Sequence, residues 1–235
     1  MGDFQRARSQ EQKEERWDEI IAATLKIFES SDYHAITLSQ IAKELSFTRA
    51  NLYKYVTTKE EIFLQIILRD LETWAQDVKA TFATQTNLSI HEFAASWSQL
   101  LDRHRRLVEL FALLHTILEK NVSLESLIHY KQTFFGHFYR LLDVIQQVLP
   151  LLRAERVQAF LQYQLMVSSG LLPATQLSEL QREAIRRSGY DYEVPDFVNV
   201  MTELIAIFLT GLQAGDQYAG DDPSSLSSSR PSDRS

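Results

Sequence analysis

Along most of the chain apolar residues recur every three or four positions, and nowhere with the strict alternation of a half-buried strand. Ile20, Ile21, Leu25 and Phe28 form a first stripe, and Leu38, Ile41, Ala42 and Leu45 form a second, shorter one. From Thr58 the positions Phe63, Ile67, Leu71, Trp74, Val78 and Phe82 keep one face apolar for about six turns, which predicts a long uninterrupted helix. Further helical stripes run through Ile90–His104, Leu107–Leu118, Leu124–Leu149 (opened by Ser123 and stopped by Pro150), Val157–Leu172 (ending at Pro173), a weaker segment Leu177–Arg187, and Val198–Leu212, opened by Pro195 and closed by Gly215. The fold expected is all-α. Residues 1–16 are charged and lack an apolar period, so a mobile arm is expected there. The Ser-, Asp- and Pro-rich residues 215–235 are expected to be disordered.

Thr37–Phe63 stands apart from this regular pattern. Thr37 has the hydroxyl to cap the helix of Leu38 and Ile41, and Ser46 interrupts it. Thr48 can cap a second helix, expected to reach Val56, with only Ala50, Leu52 and Val56 to bury. Its other positions, Arg49, Asn51, Tyr53, Lys54 and Tyr55, crowd hydrogen-bond donors onto about two turns, which suits the major groove of DNA. Thr57 or Thr58 then opens the long helix, with Glu60 and Glu61 where the helix dipole favours carboxylates. Lys59 in that first turn works against the dipole, and a phosphate shared with the helix N-terminus is the reason expected for it.

The run resembles the DNA-binding domain of the tetracycline-repressor (TetR) family of bacterial regulators. The matching residues are the helix Ile20–Phe28, Thr37 with Ile41-Ala42, and Leu52-Tyr53-x-Tyr55-x-x-x-Lys59-Glu60-Glu61. Ser46 stands where the family usually has Gly, and Val56 where an aromatic is commoner. The resemblance implies that residues matching Thr37, Tyr53 and Lys59 hold phosphates, and that those matching Arg49, Asn51 and Tyr55 lie near bases or backbone. Thr48, Ala50 and Lys54 complete the expected DNA-contacting set. It further implies a three-helix head, residues 17–63 with its motif at about 37–56, and a larger helical effector-binding and dimerisation domain over 64–214.

Composition narrows the alternatives. The 235 residues carry a formal net charge of −7, unusual for a nucleic-acid binder. Between Thr37 and Lys59, however, Lys43, Arg49, Lys54 and Lys59 face Glu44 alone, a net +3 that leaves −10 for the rest. This predicts a small DNA-facing patch on a body that repels DNA elsewhere. The chain has no cysteine, which rules out disulfides and thiolate metal sites. His129 and His137 are eight residues apart and no HxxxH occurs, so no metal site and no cofactor are expected. No GxSxG, phosphate loop or dinucleotide fingerprint is present, and no enzyme is expected. The charged N-terminus and the lack of an apolar run near the ~20 residues of a membrane span point to a cytoplasmic protein without a membrane partner.

Two larger surfaces are expected. Small residues among wide apolar faces, Ser168 and Gly211 with Phe160, Met201, Leu204 and Phe208, suggest a four-helix homodimer interface. Trp97, His104, Phe111, His115, Phe134 and Phe138 could line a pocket for a small apolar or amphipathic effector. The reading is a homodimer that binds a palindromic operator in double-stranded DNA and is released by that effector. The other readings are a constitutive DNA-binding dimer, and a helical interaction or lipid-carrier protein that no longer reads DNA.

Overall fold

A computed structural model describes the backbone of residues 2–218 and the side chains of residues 11–214. Ten α-helices make up the described chain: α1 (Gly2–Phe28), α2 (Leu38–Lys43), α3 (Arg49–Leu52), α4 (Lys59–Phe82), α5 (Ile90–Arg103), α6 (Arg105–Leu114), α7 (Leu124–Val148), α8 (Ala154–Thr175), α9 (Glu179–Ser188) and α10 (Phe197–Tyr218). Short 3-10 turns stand at Tyr33–Ala35 and Leu118–Lys120, and the described residues contain no strand.

Several boundaries differ from expectation. Residues 2–16 are helical, because Glu, Lys, Arg and Gln are good helix formers and extend α1 without an apolar face. The side chains of Arg6 and Arg8 lie outside the described residues. Helix α8 continues two residues past Pro173, where the proline sits in the last turn and forfeits a single backbone bond. Helix α10 starts behind Asp196, whose side chain accepts Asn199 N–H at 2.9 Å, and runs through Gly215 to Tyr218. The rest of the expected disordered tail, 219–235, lies outside the described residues.

The chain divides by packing into two compact units. Among the described residues, one comprises 2–76 and 104–137, the other 77–103 and 138–218. The head therefore packs in one unit with most of α4, with α6 and with the first half of α7. Its core is Ile20, Ile36, Ile41, Leu52, Ile62 and Phe63, all buried, with Phe63 edge-on to both Phe28 and Tyr33. Ion pairs tie the same unit together: Arg69 of α4 with Asp18 of α1 at 2.5 Å, and Arg106 of α6 gripping Asp70 of α4 through two bonds of 2.8 and 2.6 Å.

The second unit is built on stacked rings. Phe82, Phe93 and Trp97 lie nearly parallel at successive centroid distances of 5.2 and 5.3 Å, and Phe160 of α8 meets Phe93 and Trp97 edge-on. The Trp97 indole donates to Gln164 Oε1 at 3.3 Å and Gln164 Nε2 donates to the Leu161 carbonyl, so this buried amide is satisfied. Helix α10 packs on α5 and α8 through Phe197, Met201, Ile205 and Leu209. It also departs from expectation. Phe197–Ala214 has a mean hydropathy of 1.5 and, by length and composition, is long and apolar enough to cross a membrane, yet 28% of that window is buried. Its opposite face is thus apolar as well.

Truncating the ring that closes the aromatic stack, Phe160→Ala, is expected to cost about 3–5 kcal/mol, as buried Phe-to-Ala changes do. Urea unfolding should show it, and a loss below 1 kcal/mol would mean the stack is not a structural core.

Candidate nucleic-acid interface

The candidate interface begins at Thr37, which caps α2 with a reciprocal box: its hydroxyl accepts Gln40 N–H, and Gln40 Oε1 accepts Thr37 N–H at 2.8 Å. Thr48 caps α3, its hydroxyl accepting Asn51 N–H at 3.4 Å. Helix α3 is four residues long, shorter than the expected span to Val56. Tyr53, Lys54 and Tyr55 follow as tight turns, with Lys54 N–H on Asn51 O and Tyr55 N–H on Leu52 O. The β-branched run Val56-Thr57-Thr58 after two tyrosines gives little propensity to continue the helix. Leu52 and Val56 are the inward anchors of this segment.

Thr37, Thr48, Arg49, Ala50, Tyr53 and Lys54 are exposed, while Asn51, Tyr55 and Lys59 are half-buried. Arg49 Nη2 donates to the Tyr53 hydroxyl at 2.9 Å, with its guanidinium 5.4 Å from the ring centre. The two side chains thus hold each other in place on the exposed face. Tyr55 packs edge-on against Trp17 and tilted against Phe47, so it braces the segment from within.

Lys59 has partners within the chain. A phosphate was the expected reason for a cation at this helix start. The structure supplies another: the ammonium donates to the carbonyls of Tyr33 and Ile36 at 2.8 and 2.9 Å and lies 4.2 Å from the Tyr33 ring centre. Burial pushes it below the ordinary lysine value, with Glu60 and Asp32 pulling the other way. Lys59 satisfies the end of the Tyr33–Ala35 turn and pins it to α4, and one of its three N–H groups remains for another acceptor.

Two carboxylates that sequence reasoning did not single out as site residues hold the ends of the reading segment. At its entry, Glu19 of α1 accepts the Ser46 backbone N–H, and also the Ser46 hydroxyl at 3.0 Å and Arg16 at 3.1 Å. Arg16 in turn lies 4.9 Å from the Phe47 ring centre. The Ser46 N–H, with further help from its hydroxyl and Arg16, holds the Glu19 carboxyl below its ordinary value against desolvation. At the exit, Glu61 accepts Thr57 N–H at 2.7 Å and the Thr57 hydroxyl at 3.2 Å, while the Thr58 hydroxyl accepts Glu61 N–H. The Thr58-x-x-Glu61 spacing is that of a capping box, so Glu61 was legible as a capping residue. The Glu19–Ser46 bond spans 27 residues and left no local signal.

The residues expected to line an effector pocket fall in both units. Phe111 and Phe134 meet edge-on at 5.9 Å, and Tyr130 lies 5.8 Å from Phe134. The Tyr130 hydroxyl is buried with no hydrogen-bond partner among the described residues. His104 precedes α6, and His115 follows it, exposed and paired with Glu119 at 3.2 Å. Trp97 and Phe138 belong to the other unit, Trp97 as part of its ring stack.

The interface residues need a further correction. Phe160, Ser168 and Met201, expected between subunits, are fully buried inside their own unit. Both faces of α8 and α10 are apolar, so helical period alone could not tell inward from outward. The outward face carries Tyr163, Met166 and Gly170 of α8 and Leu204, Ile207, Phe208 and Gly211 of α10, with Tyr163 and Phe208 rings 6.4 Å apart.

Two short capped helices joined by a tight turn, the second with exposed donors, have the form of a helix-turn-helix. The comparisons agree: residues 20–66 match the model "Bacterial regulatory proteins, tetR family", and residues 68–216 match "Tetracyclin repressor-like, C-terminal domain". The chain belongs to the tetR family of DNA-binding transcriptional regulators. It is 32% identical over 65 residues to the HTH-type transcriptional regulator HbdR of Aromatoleum sp. (strain CIB), a match spanning 28% of each chain. Among solved structures it is similar to the fatty acid degradation regulator FadR from Bacillus halodurans, at 14% identity and a TM-score of 0.49 over 85% of this chain and 95% of that one. It is also similar to the TetR family repressor AlkX from Dietzia sp. strain DQ12-45-1b, at 14% identity and a TM-score of 0.48 over 83% and 95%.

A carboxyl depressed in the folded state contributes stability above the ordinary carboxylate value, and that contribution is lost as pH falls through its own lower value. Glu19→Gln is therefore expected to lower the melting temperature at neutral pH, with the gap to the unchanged protein closing in acid. A gap independent of pH would show that Glu19 does not act through its charge.

Proposed function

We propose that the protein is a homodimeric repressor that binds a palindromic operator and leaves it when a small apolar or amphipathic effector binds. The observation that carries this reading is the donor face Thr37, Thr48, Arg49, Tyr53 and Lys54, exposed on a segment whose own apolar residues, Leu52 and Val56, are buried. Thr37, Tyr53 and the remaining N–H of Lys59 hold phosphates. Arg49 and Asn51 read bases, with Ala50 giving the backbone close approach, and Thr48, Lys54 and Tyr55 complete the footprint. The local +3 patch on an otherwise acidic chain supports a contact confined to this face.

One head makes too few contacts for tight binding, and two are joined through the outward faces of α8 and α10. Ile207 is 67% and Met166 56% exposed, in a protomer that offers them no cover. A second copy would bury this face in the same way on both subunits, as a two-fold interface requires. Leu204, Phe208 and Gly211 are the retained interface positions. The effector lodges against Phe111 and Phe134, where the unpartnered Tyr130 hydroxyl offers it a polar anchor. Its binding shifts α4 and with it the spacing of the two heads. The protein acts by binding rather than catalysis, in the cytoplasm where its operator lies.

Selection of genomic fragments by the purified protein tests the reading: a palindromic site with strongly salt-dependent affinity is expected, and recovery of no preferred sequence would overturn it. On that site Arg49→Ala should cost about 1–3 kcal/mol, and much less on random DNA. An equal loss on both would place Arg49 on the backbone. For the dimer, Gly211→Arg is the sharpest change, since a Cβ at Gly211 meets nothing within 4 Å and the protomer has room for it. Sedimentation should show a helical monomer; a dimer of unchanged affinity would move the interface elsewhere.

A further inference from the structure

The first turn of α7 reaches the reading segment through one side chain. Ser126 is positioned by Ser123, whose hydroxyl accepts Ser126 N–H at 3.1 Å and donates to Ser126 Oγ at 2.9 Å. Ser126 Oγ donates its own proton to Glu61 Oε1 at 2.8 Å. The other oxygen of Glu61 accepts the Thr57 backbone N–H at 2.7 Å, at the exit of the segment that carries Arg49 and Tyr53. A continuous chain of hydrogen bonds thus runs Ser123–Ser126–Glu61–Thr57, and all four residues belong to the same compact unit.

We propose that Ser126 is a positioning residue for DNA reading: α7 sets the orientation of Glu61, and Glu61 sets the exit of the reading segment. This rests on the reading of the protein as an operator-binding regulator and names the contact by which α7 acts on it. Three observations support it. First, Glu61 has two acceptor oxygens, one turned to each neighbour, so loss of Ser126 leaves the carboxylate held from the Thr57 side alone and loosens its orientation there. Second, the bond lies beside a cleft of about 360 Å3 lined by Trp17, Tyr55, Glu61, Glu125, Ser126 and His129 among others. Solvent or a polar molecule there can compete for either partner, which makes the contact breakable. Third, α7 also carries Tyr130 and Phe134, one and two turns beyond Ser126, where the effector is placed above.

The test is Ser126→Ala in the full chain, with Ser126→Thr as the variant that keeps the hydroxyl. Amide hydrogen exchange is read first, without DNA. The Thr57 amide is expected to exchange about three- to ten-fold faster in Ser126→Ala and near the original rate in Ser126→Thr, the scale of one net hydrogen bond. Amides in the middle of α4 should be unchanged. Affinity for the fragment selected by the unmodified protein should fall by a similar factor in Ser126→Ala and return in Ser126→Thr. Unchanged Thr57 exchange in Ser126→Ala overturns the proposal, and so does faster exchange throughout α4, which would mark a purely structural serine. If the unmodified protein selects no DNA, the operator-binding reading fails, while the exchange data still decide whether Ser126 controls the segment.

Discussion

A four-residue helix cannot hold itself together in water, because nucleating a turn fixes several residues for one hydrogen bond. The reading segment of this protein is such a helix, followed by turns, and its geometry must be imposed from outside. Two backbone N–H groups receive that constraint: Ser46 at the entry, bonded to Glu19 of α1, and Thr57 at the exit, bonded to Glu61 of α4. Between them Leu52 and Val56 are buried, and Tyr55 is wedged against Trp17 and Phe47. Lys59 fixes the neighbouring Tyr33–Ala35 turn to the same helix start. The head is less a set of autonomous helices than a short segment stretched between two carboxylates.

This explains what could be read from the sequence and what could not. The capping threonines 37 and 48, the apolar faces of α1 and α4 and the donor-rich stretch 49–55 are local features, and local periodicity and capping chemistry describe them. The Glu19–Ser46 and Lys59–Tyr33 contacts join residues 27 and 26 apart, and nothing near either partner announces them. Lys59 illustrates the point. A cation at a helix start invited an external anion, yet two of its N–H groups are taken by neutral backbone carbonyl oxygens of a distant turn. The end of α3 differs from the expected one for a related reason, since donors recur at helical spacing through Tyr55 while the backbone has already tightened into turns.

The second unit shows the opposite limit of periodicity. On α8 and α10 the signal is too strong, because inward and outward faces are both apolar. Phe160, Ser168 and Met201 went to the core, and Tyr163, Met166 and Ile207 to the surface. Choosing between the faces needed the stacked rings of Phe82, Phe93 and Trp97, which claim one side of α8 for the interior.

Holding the reading segment from its ends has an evolutionary consequence. The side chains at 49, 50, 53 and 54 are exposed and carry little of the packing that keeps the head folded. Substitutions there can change which bases are met without unfolding the domain that presents them. Altered operator preference is therefore reachable one residue at a time, through folded intermediates, as long as Glu19, Glu61 and the two buried anchors stay in place. The scaffold and the code it displays are separable, and lineages descending from this protein can retune one while inheriting the other.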